Sequence, residues 1–212
     1  MTSFGFIKRS TVLFIAILSL LLVMPAAQAE VTPPDVVVKT TLEKAINELN
    51  ARRPEFAADA KKLNTAINDI LGPAINFELF SKGVLGKHRR NITPQQFNAF
   101  VVEFRRLLIG TYASTVFEYS GQEIKYLPFS NPNKKDRVKV KTEFVTQSGG
   151  KIPMVFSMNL RDDTQWRVYN IKVQTPEATI ELIPLFRNDY ADRISKVGID
   201  KLIEEMREIN NG

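Results

Sequence analysis

The chain has 212 residues, of which 44% are hydrophobic and 25% charged, and a formal net charge of +6. It contains no cysteine and one histidine, which excludes disulfides, thiolate nucleophiles and the usual ligand set of a transition-metal site. The cationic excess favours acidic partners: anionic lipid surfaces, acidic protein faces or nucleic acid.

The N-terminus reads as an address. Lys8 and Arg9 precede a continuous apolar run, Thr11 to Val23, and Ala27 and Ala29 stand in the A-x-A arrangement that signal peptidase reads. The run is shorter than the ~20 residues a spanning helix needs. Residues 1–29 are therefore expected to be a cleavable export signal, cut after Ala29. Its loss leaves one domain, residues 30–212, and lowers the net charge to +4 by removing Lys8 and Arg9. Export makes nucleic acid the least suitable of the three partners.

Pro33 and Pro34 predict an extended lead-in, and Asp35 is placed to cap a helix from Val36, with Val38, Leu42, Ala45, Ile46 and Leu49 at helical spacing. Asn50 to Pro54 breaks it. A second helix is expected over Glu55 to Leu71, ended by Gly72-Pro73, and a short one over Asn76 to Leu85. Gly86 to Asn91 reads as a basic loop. Thr93, Pro94 and Gln96 then spell a capping box with proline at the first helical position. Behind them, Phe97, Phe100, Val101, Phe104, Leu107, Leu108, Tyr112, Val116 and Tyr119 mark a long amphipathic helix. This completes a helical part over about 36–120.

After Gly121 the period becomes alternating, which predicts a sheet part over about 121–175. Strands are expected at Gln122 to Leu127, Arg137 to Val145, Lys151 to Leu160 and Gln165 to Val173. Turns at Ser148 to Gly150 and Arg161 to Thr164 make the last three an antiparallel meander. The region from Glu177 to Tyr190 is apolar but mixed in period, interrupted by Pro176 and Pro184. A final helix from Ile199 to Ile209 is expected to turn Leu202, Met206 and Ile209 inward. C-terminal helices thus occupy about 177–210. The fold class is α+β: an antiparallel meander packed on helices, with an N-terminal helical subdomain.

No catalytic constellation stands out. His88 is flanked by Lys87, Arg89 and Arg90, Asp162-Asp163 lie in a turn, and Glu204-Glu205 lie beside Lys201 and Arg207 on a solvated face. No phosphate-binding glycine loop is present. The expectation is a protein without catalytic residues, metal or cofactor. What the sequence does offer is apolar side chains on one helix and one side of the meander. They can fill a core, as in an adaptor or structural protein without ligand. They can equally line a slot for acyl chains, since burial is worth about 0.8 kcal/mol per methylene. The residues alone leave both readings open.

The ordered set of motifs resembles the MlaC, or toluene-tolerance auxiliary, family. Its elements here are Leu85-Gly86, Gln96, Phe100, Phe104, Leu107-Leu108 and Thr111-Tyr112-Ala113, then the tryptophan strand QWRVYNIKV and the C-terminal FRNDYADRISKVGIDKLIEEM. The sequence departs from the pattern at Arg89 (tryptophan), Asn170 (aspartate) and near Pro176 (glycine). The resemblance implies an NTF2-like cone with an apolar pocket between sheet and helices. It also implies a non-enzymatic periplasmic phospholipid carrier in an Mla-type system that maintains outer-membrane lipid asymmetry. Phospholipid would be its cargo. Its partners would be an inner-membrane MCE-domain ABC transporter complex and an outer-membrane lipoprotein–porin complex, with no nucleic acid. From the periodicity, the expected pocket lining is Phe100, Phe104, Leu108 and Tyr112 on the helix. On the sheet it is Val140, Phe144, Phe156, Met158, Trp166 and Val168. Lys87, Arg89 and Arg90 are the candidates for docking acidic partner faces or headgroups.

Overall fold

The computed structural model describes residues 31–130, 136–146 and 148–211. The proposed export signal lies outside them. Among the described residues no helix is long and apolar enough to cross a membrane.

Helix α1 runs Pro34–Ala51 and starts on Pro34 without a side-chain cap; Asp35 lies within its first turn, where an acid suits the helix dipole, instead of capping it. The single helix expected over 55–71 is two, α2 (Arg53–Ala58) and α3 (Ala60–Leu71). Asp59 adopts an extended backbone between them, and its carboxylate accepts from the amides of Lys61 and Lys62 at 2.9 and 3.1 Å. A short polar side chain that satisfies two orphan amides makes that break favourable. Gly72–Ala74 forms a 3₁₀ turn, and α4 (Phe77–Leu85) begins under an Asn76 cap. The basic segment Gly86–Asn91 is not an irregular loop but a 3₁₀ helix. Helix α5 (Pro94–Tyr119) opens on the expected capping box, Thr93 hydroxyl with the Gln96 amide and Gln96 side chain with the Thr93 amide.

Five antiparallel strands follow in meander order: β1 (Glu123–Tyr126), β2 (Arg137–Val145), β3 (Lys151–Leu160), β4 (Trp166–Gln174) and β5 (Thr179–Glu181). Val138, Val140, Thr142 and Phe144 share one face, opposite Met158, Phe156, Met154 and Ile152 on β3. A bulge at Ser157/Met158 leaves Tyr169 as an extra residue in β4. It keeps Trp166 and Val168 on the inner face with Ile171 and Val173, although the count between them is odd. The apolar stretch after Pro176 resolves into β5 and helix α6 (Leu182–Val197). Pro184 does not interrupt that helix, because it sits in the first turn, where amides have no intrahelical partner. Helix α7 (Ile199–Asn211) buries Leu202, Ile203 and Met206. Ile209 is 69% exposed, contrary to its expected inward placement, because Asn210 takes the position facing α5 there and donates to Glu103.

The main core is helical. Phe80, Phe100 and Phe104 are fully buried, with Phe186 edge-on to Phe104 at 5.2 Å and Phe100 stacked at 5.7 Å. Gly83 permits α4 to meet α6: a Cβ there would come within 2.6 Å of Ile183. Helix α1 packs across β2 and β4 and against α3, and its Leu49 is fully buried in the helical core.

Candidate functional site

The helical core is a contiguous set of buried side chains that takes in Phe100, Phe104 and Leu108. The buried residues of the sheet (Val138, Val140, Phe156, Met158, Trp166 and Val168) and Val38 and Ala45 of α1 lie outside it. Between α1 and the sheet is an apolar slot of about 70 Å³. Its helical wall is Val37, Val38, Thr41 and Leu42 of α1, its end is Leu71, Ala74 and Ile75, and its sheet wall is Phe156, Met158, Val168 and Ile171. Thr41 is the one lining residue with a polar side chain.

The end of the slot is held by an unusual splice. Ile75 makes a parallel bridge to Val168, and the Asn76 amide donates to the Val168 carbonyl at 2.8 Å. The Asn76 side chain, buried, donates to Asn159 at 3.0 Å and accepts from the Leu79 amide at 3.0 Å. One residue thus starts α4 and fixes it to the sheet. On the other side of the sheet Asn170 does the corresponding work for α6. It is buried, accepts from the Ile183 amide at 3.0 Å and donates to Glu181 at 2.6 Å. The amide side chain serves both contacts, which an ionised aspartate could not.

Among the described residues no hydrogen bond joins α1 to the sheet. Contact there is non-directional, so a second apolar body can replace it without leaving polar groups unpaired. From Phe156 the inner face continues through Met154, Phe144 and Ile152, which are half-buried. Thr142, in the row between, is fully buried with a hydroxyl that has no hydrogen-bond partner. At the margin, Lys39 lies 5.8 Å from the Tyr126 ring centroid, and burial, assisted by Glu43, pushes the Tyr126 phenol up.

The structure therefore brings Phe156, Met158 and Val168 together on the slot. Val140 is buried beside Phe156 in the register, Phe144 lies toward the half-open end, and Trp166 is buried opposite Leu160. Phe100, Phe104 and Leu108 are in the helical core, and Tyr112 is half-buried on its margin, its phenol raised by burial and then by Asp189. The α1 wall escaped sequence reasoning, since Val38 and Leu42 at helical spacing look the same over a slot as over a core. Lys87, Arg89 and Arg90 are exposed on the 3₁₀ helix, with Arg187 packed beside Gly86 and donating to the Gly83 carbonyl at 2.8 Å.

A larger cleft of about 330 Å³ opens among Arg52, Glu55, Lys61, Lys62, Thr65, Ala66 and Asp69. Its charges close on one another, Arg52 to Glu55 at 2.8 Å and Lys62 to Glu55 at 3.1 Å, and Ala66 is its one lining residue with an apolar side chain. The Arg52 guanidinium, then Lys62, holds the Glu55 carboxyl down at about 2. This is a solvated ion-pair cluster, and the α1 slot is the better ligand site. Among the described residues no cluster of three or more histidine, cysteine or acidic side chains is arranged to hold a metal.

Taken together, the fold is an α+β domain in which α1 and the sheet meet across an apolar seam with no hydrogen bond among the described residues. The sequence profile of the MlaC protein family matches residues 39–208, and the chain belongs to that family. It is 30% identical over 201 residues to toluene tolerance protein ttg2D of Pseudomonas putida, covering 93% of this chain and 88% of the relative. It is 23% identical over 205 residues to the intermembrane phospholipid transport system binding protein MlaC of Haemophilus influenzae, covering 95% and 93%. The phospholipid-binding protein of Ralstonia solanacearum, solved with a phospholipid, shares the fold with a TM-score of 0.74 at 22% identity, over 85% of this chain and 98% of that one.

Proposed function

We propose that this protein is a non-enzymatic phospholipid carrier, exported to the periplasm after cleavage at Ala29, which takes acyl chains between α1 and the sheet. The observation that carries the reading is the seam itself: an apolar slot with Phe156, Met158 and Val168 on one wall and, among the described residues, no hydrogen bond across it. Family membership and a relative named for phospholipid transport support it. Pockets that enclose drug-sized ligands hold about 300–1,000 Å³, so a slot of about 70 Å³ must widen to admit a lipid. Separation of the Val37–Leu42 part of α1 from the sheet does this while the helical core, on Leu49, Phe100, Phe104 and Leu108, stays packed. Val140, Phe144 and Trp166 extend the apolar wall, and Tyr112 borders the core platform. The unpartnered Thr142 hydroxyl supplies a donor for a lipid ester carbonyl at no desolvation cost beyond that already incurred.

In this reading the cargo passes between an inner-membrane MCE-domain ABC transporter complex and an outer-membrane lipoprotein–porin complex, which maintains outer-membrane lipid asymmetry. The exposed cations Lys87, Arg89 and Arg90 dock acidic faces of those partners. The experiment is uptake of a fluorescent phospholipid from vesicles by the wild type and by Phe156→Asp. The wild type is expected to take up lipid and Phe156→Asp to lose it, with Thr65→Asp in the ion-pair cleft unaffected. Equal uptake by all three proteins would place the cargo elsewhere.

A further inference from the structure

On the side of the sheet away from the slot, β2 carries a run of positive charge. Arg137, Lys139 and Lys141 are the outward positions of β2, and all are exposed. Their cross-strand neighbours on β3 are Asn159, Ser157 and Val155, none of them acidic, and beyond Val155 the same row reaches Lys172 on β4. Outward side chains on a strand are about 7 Å apart, within the ~8 Å Debye length of physiological salt, so these cations repel one another. Glu143 pairs with Lys151 at 3.1 Å, whereas Glu181 stands opposite Lys172 in the register and offsets it, so the excess lies on Arg137, Lys139 and Lys141. Glu123 stands on the outer strand, in the row of Val145. β1 pairs with Thr142–Val145, and the Leu127 amide carries the ladder on to the Lys141 carbonyl at 3.2 Å. Charged residues, lysine above all, guard sheet edges against strand pairing, but cations at three successive outward positions also concentrate positive charge on one face.

We propose that this outer face of β2 adsorbs to the surface of an anionic phospholipid bilayer, with Arg137, Lys139 and Lys141 against headgroup phosphates. The face is opposite the slot, so adsorption neither occupies nor requires the proposed cargo site. A basic residue near an anionic surface adds about fivefold to partitioning, and the attraction is screened by salt.

The test is sedimentation of the full chain, purified without detergent, with vesicles of phosphatidylglycerol or of phosphatidylcholine. The expected result is binding to phosphatidylglycerol far above phosphatidylcholine, released by raised salt. It is expected to weaken about 100-fold in Arg137→Ser/Lys139→Ser/Lys141→Ser, at about fivefold per basic residue. The variant Lys44→Ser/Lys61→Ser/Lys196→Ser removes the same charge elsewhere and is expected to bind as the wild type does. Thermal midpoints of both variants verify folding. Equal loss in the two triple variants, no loss in the first, or equal binding to both vesicles overturns the proposal. Binding of polyglutamate but not of phosphatidylglycerol vesicles also overturns it, in favour of an acidic protein partner. Phe156→Asp, which blocks the slot, should bind phosphatidylglycerol unchanged, so this test stands or falls apart from the carrier reading.

Discussion

Truncating Phe104 and Phe156 to alanine separates the packed core from the slot. Phe104 is fully buried, with Phe186 at 5.2 Å, Phe80 at 5.3 Å, Phe100 at 5.7 Å and Tyr190 at 6.4 Å between ring centroids. Phe→Ala in a core costs about 3–5 kcal/mol, and aromatic pairs add about 0.5–1.5 kcal/mol each beyond burial. Four aromatic neighbours put Phe104→Ala at the top of that range, about 5 kcal/mol. In a domain of this size each kcal/mol moves the Tm by about 2–4 °C, so the expected drop is about 10–20 °C. Phe156 faces the slot, where part of its ring has no close-packed neighbour to lose. Phe156→Ala should cost less, about 2–3 kcal/mol, because it widens an existing space instead of opening a new one. Urea unfolding followed by circular dichroism measures both. If Phe156→Ala is as costly as Phe104→Ala, the seam under α1 is packed as tightly as the core and the reasoning fails.

Glu103→Ala should loosen the end of α7. The buried carboxylate accepts from Arg106 and Arg207, each at 3.2 Å, and from Asn210 at 2.9 Å, and its carbonyl accepts from Asn210 at 3.0 Å. With both arginines about half exposed the loss is discounted to about 2 kcal/mol, visible as faster amide exchange over residues 206–211. Glu55 gives a pH dependence. Its folded pKa is lowered from 4.5 to about 2 by Arg52 and Lys62, so its contribution is present above pH 4.5 and lost as pH falls through about 2. The urea-midpoint difference between wild type and Glu55→Gln should therefore be constant at neutral pH and vanish toward pH 2. A difference that grows on acidification would contradict the ion-pair assignment.

Legibility in the sequence followed the strength of local chemistry. The capping box at Thr93 and Gln96 and the alternation in β2 and β3 marked those elements to within a residue, because each is written in its own side chains. Within the C-terminal helices expected over about 177–210 the start of α6 was hidden, since Pro184 reads as a breaker unless one knows that it falls in the first turn. The three-residue β5 is too short to show a period, and the bulge at Tyr169 is set by pairing with β3. Ile209 shows the limit of periodicity: correct spacing does not supply a neighbouring element to bury against. For the site, the inner face of the sheet was readable as far as Phe156, Met158 and Val168. Which helix lies over it was not, because Val38 and Leu42 of α1 and Phe100 and Phe104 of α5 carry the same helical spacing. Only tertiary packing distinguishes the seam from the core.

The most direct test of the carrier reading is the mass of the protein as cells load it. The full chain would be expressed in a Gram-negative host, purified without detergent, and weighed under native and denaturing conditions, with the solvent extract analysed for lipid. The account predicts a denatured mass that begins at Glu30, a native mass larger by one stoichiometric adduct, and phospholipid in the extract. A bare native mass, together with failure to acquire lipid from vesicles, would contradict it and leave a protein whose seam closes for packing alone.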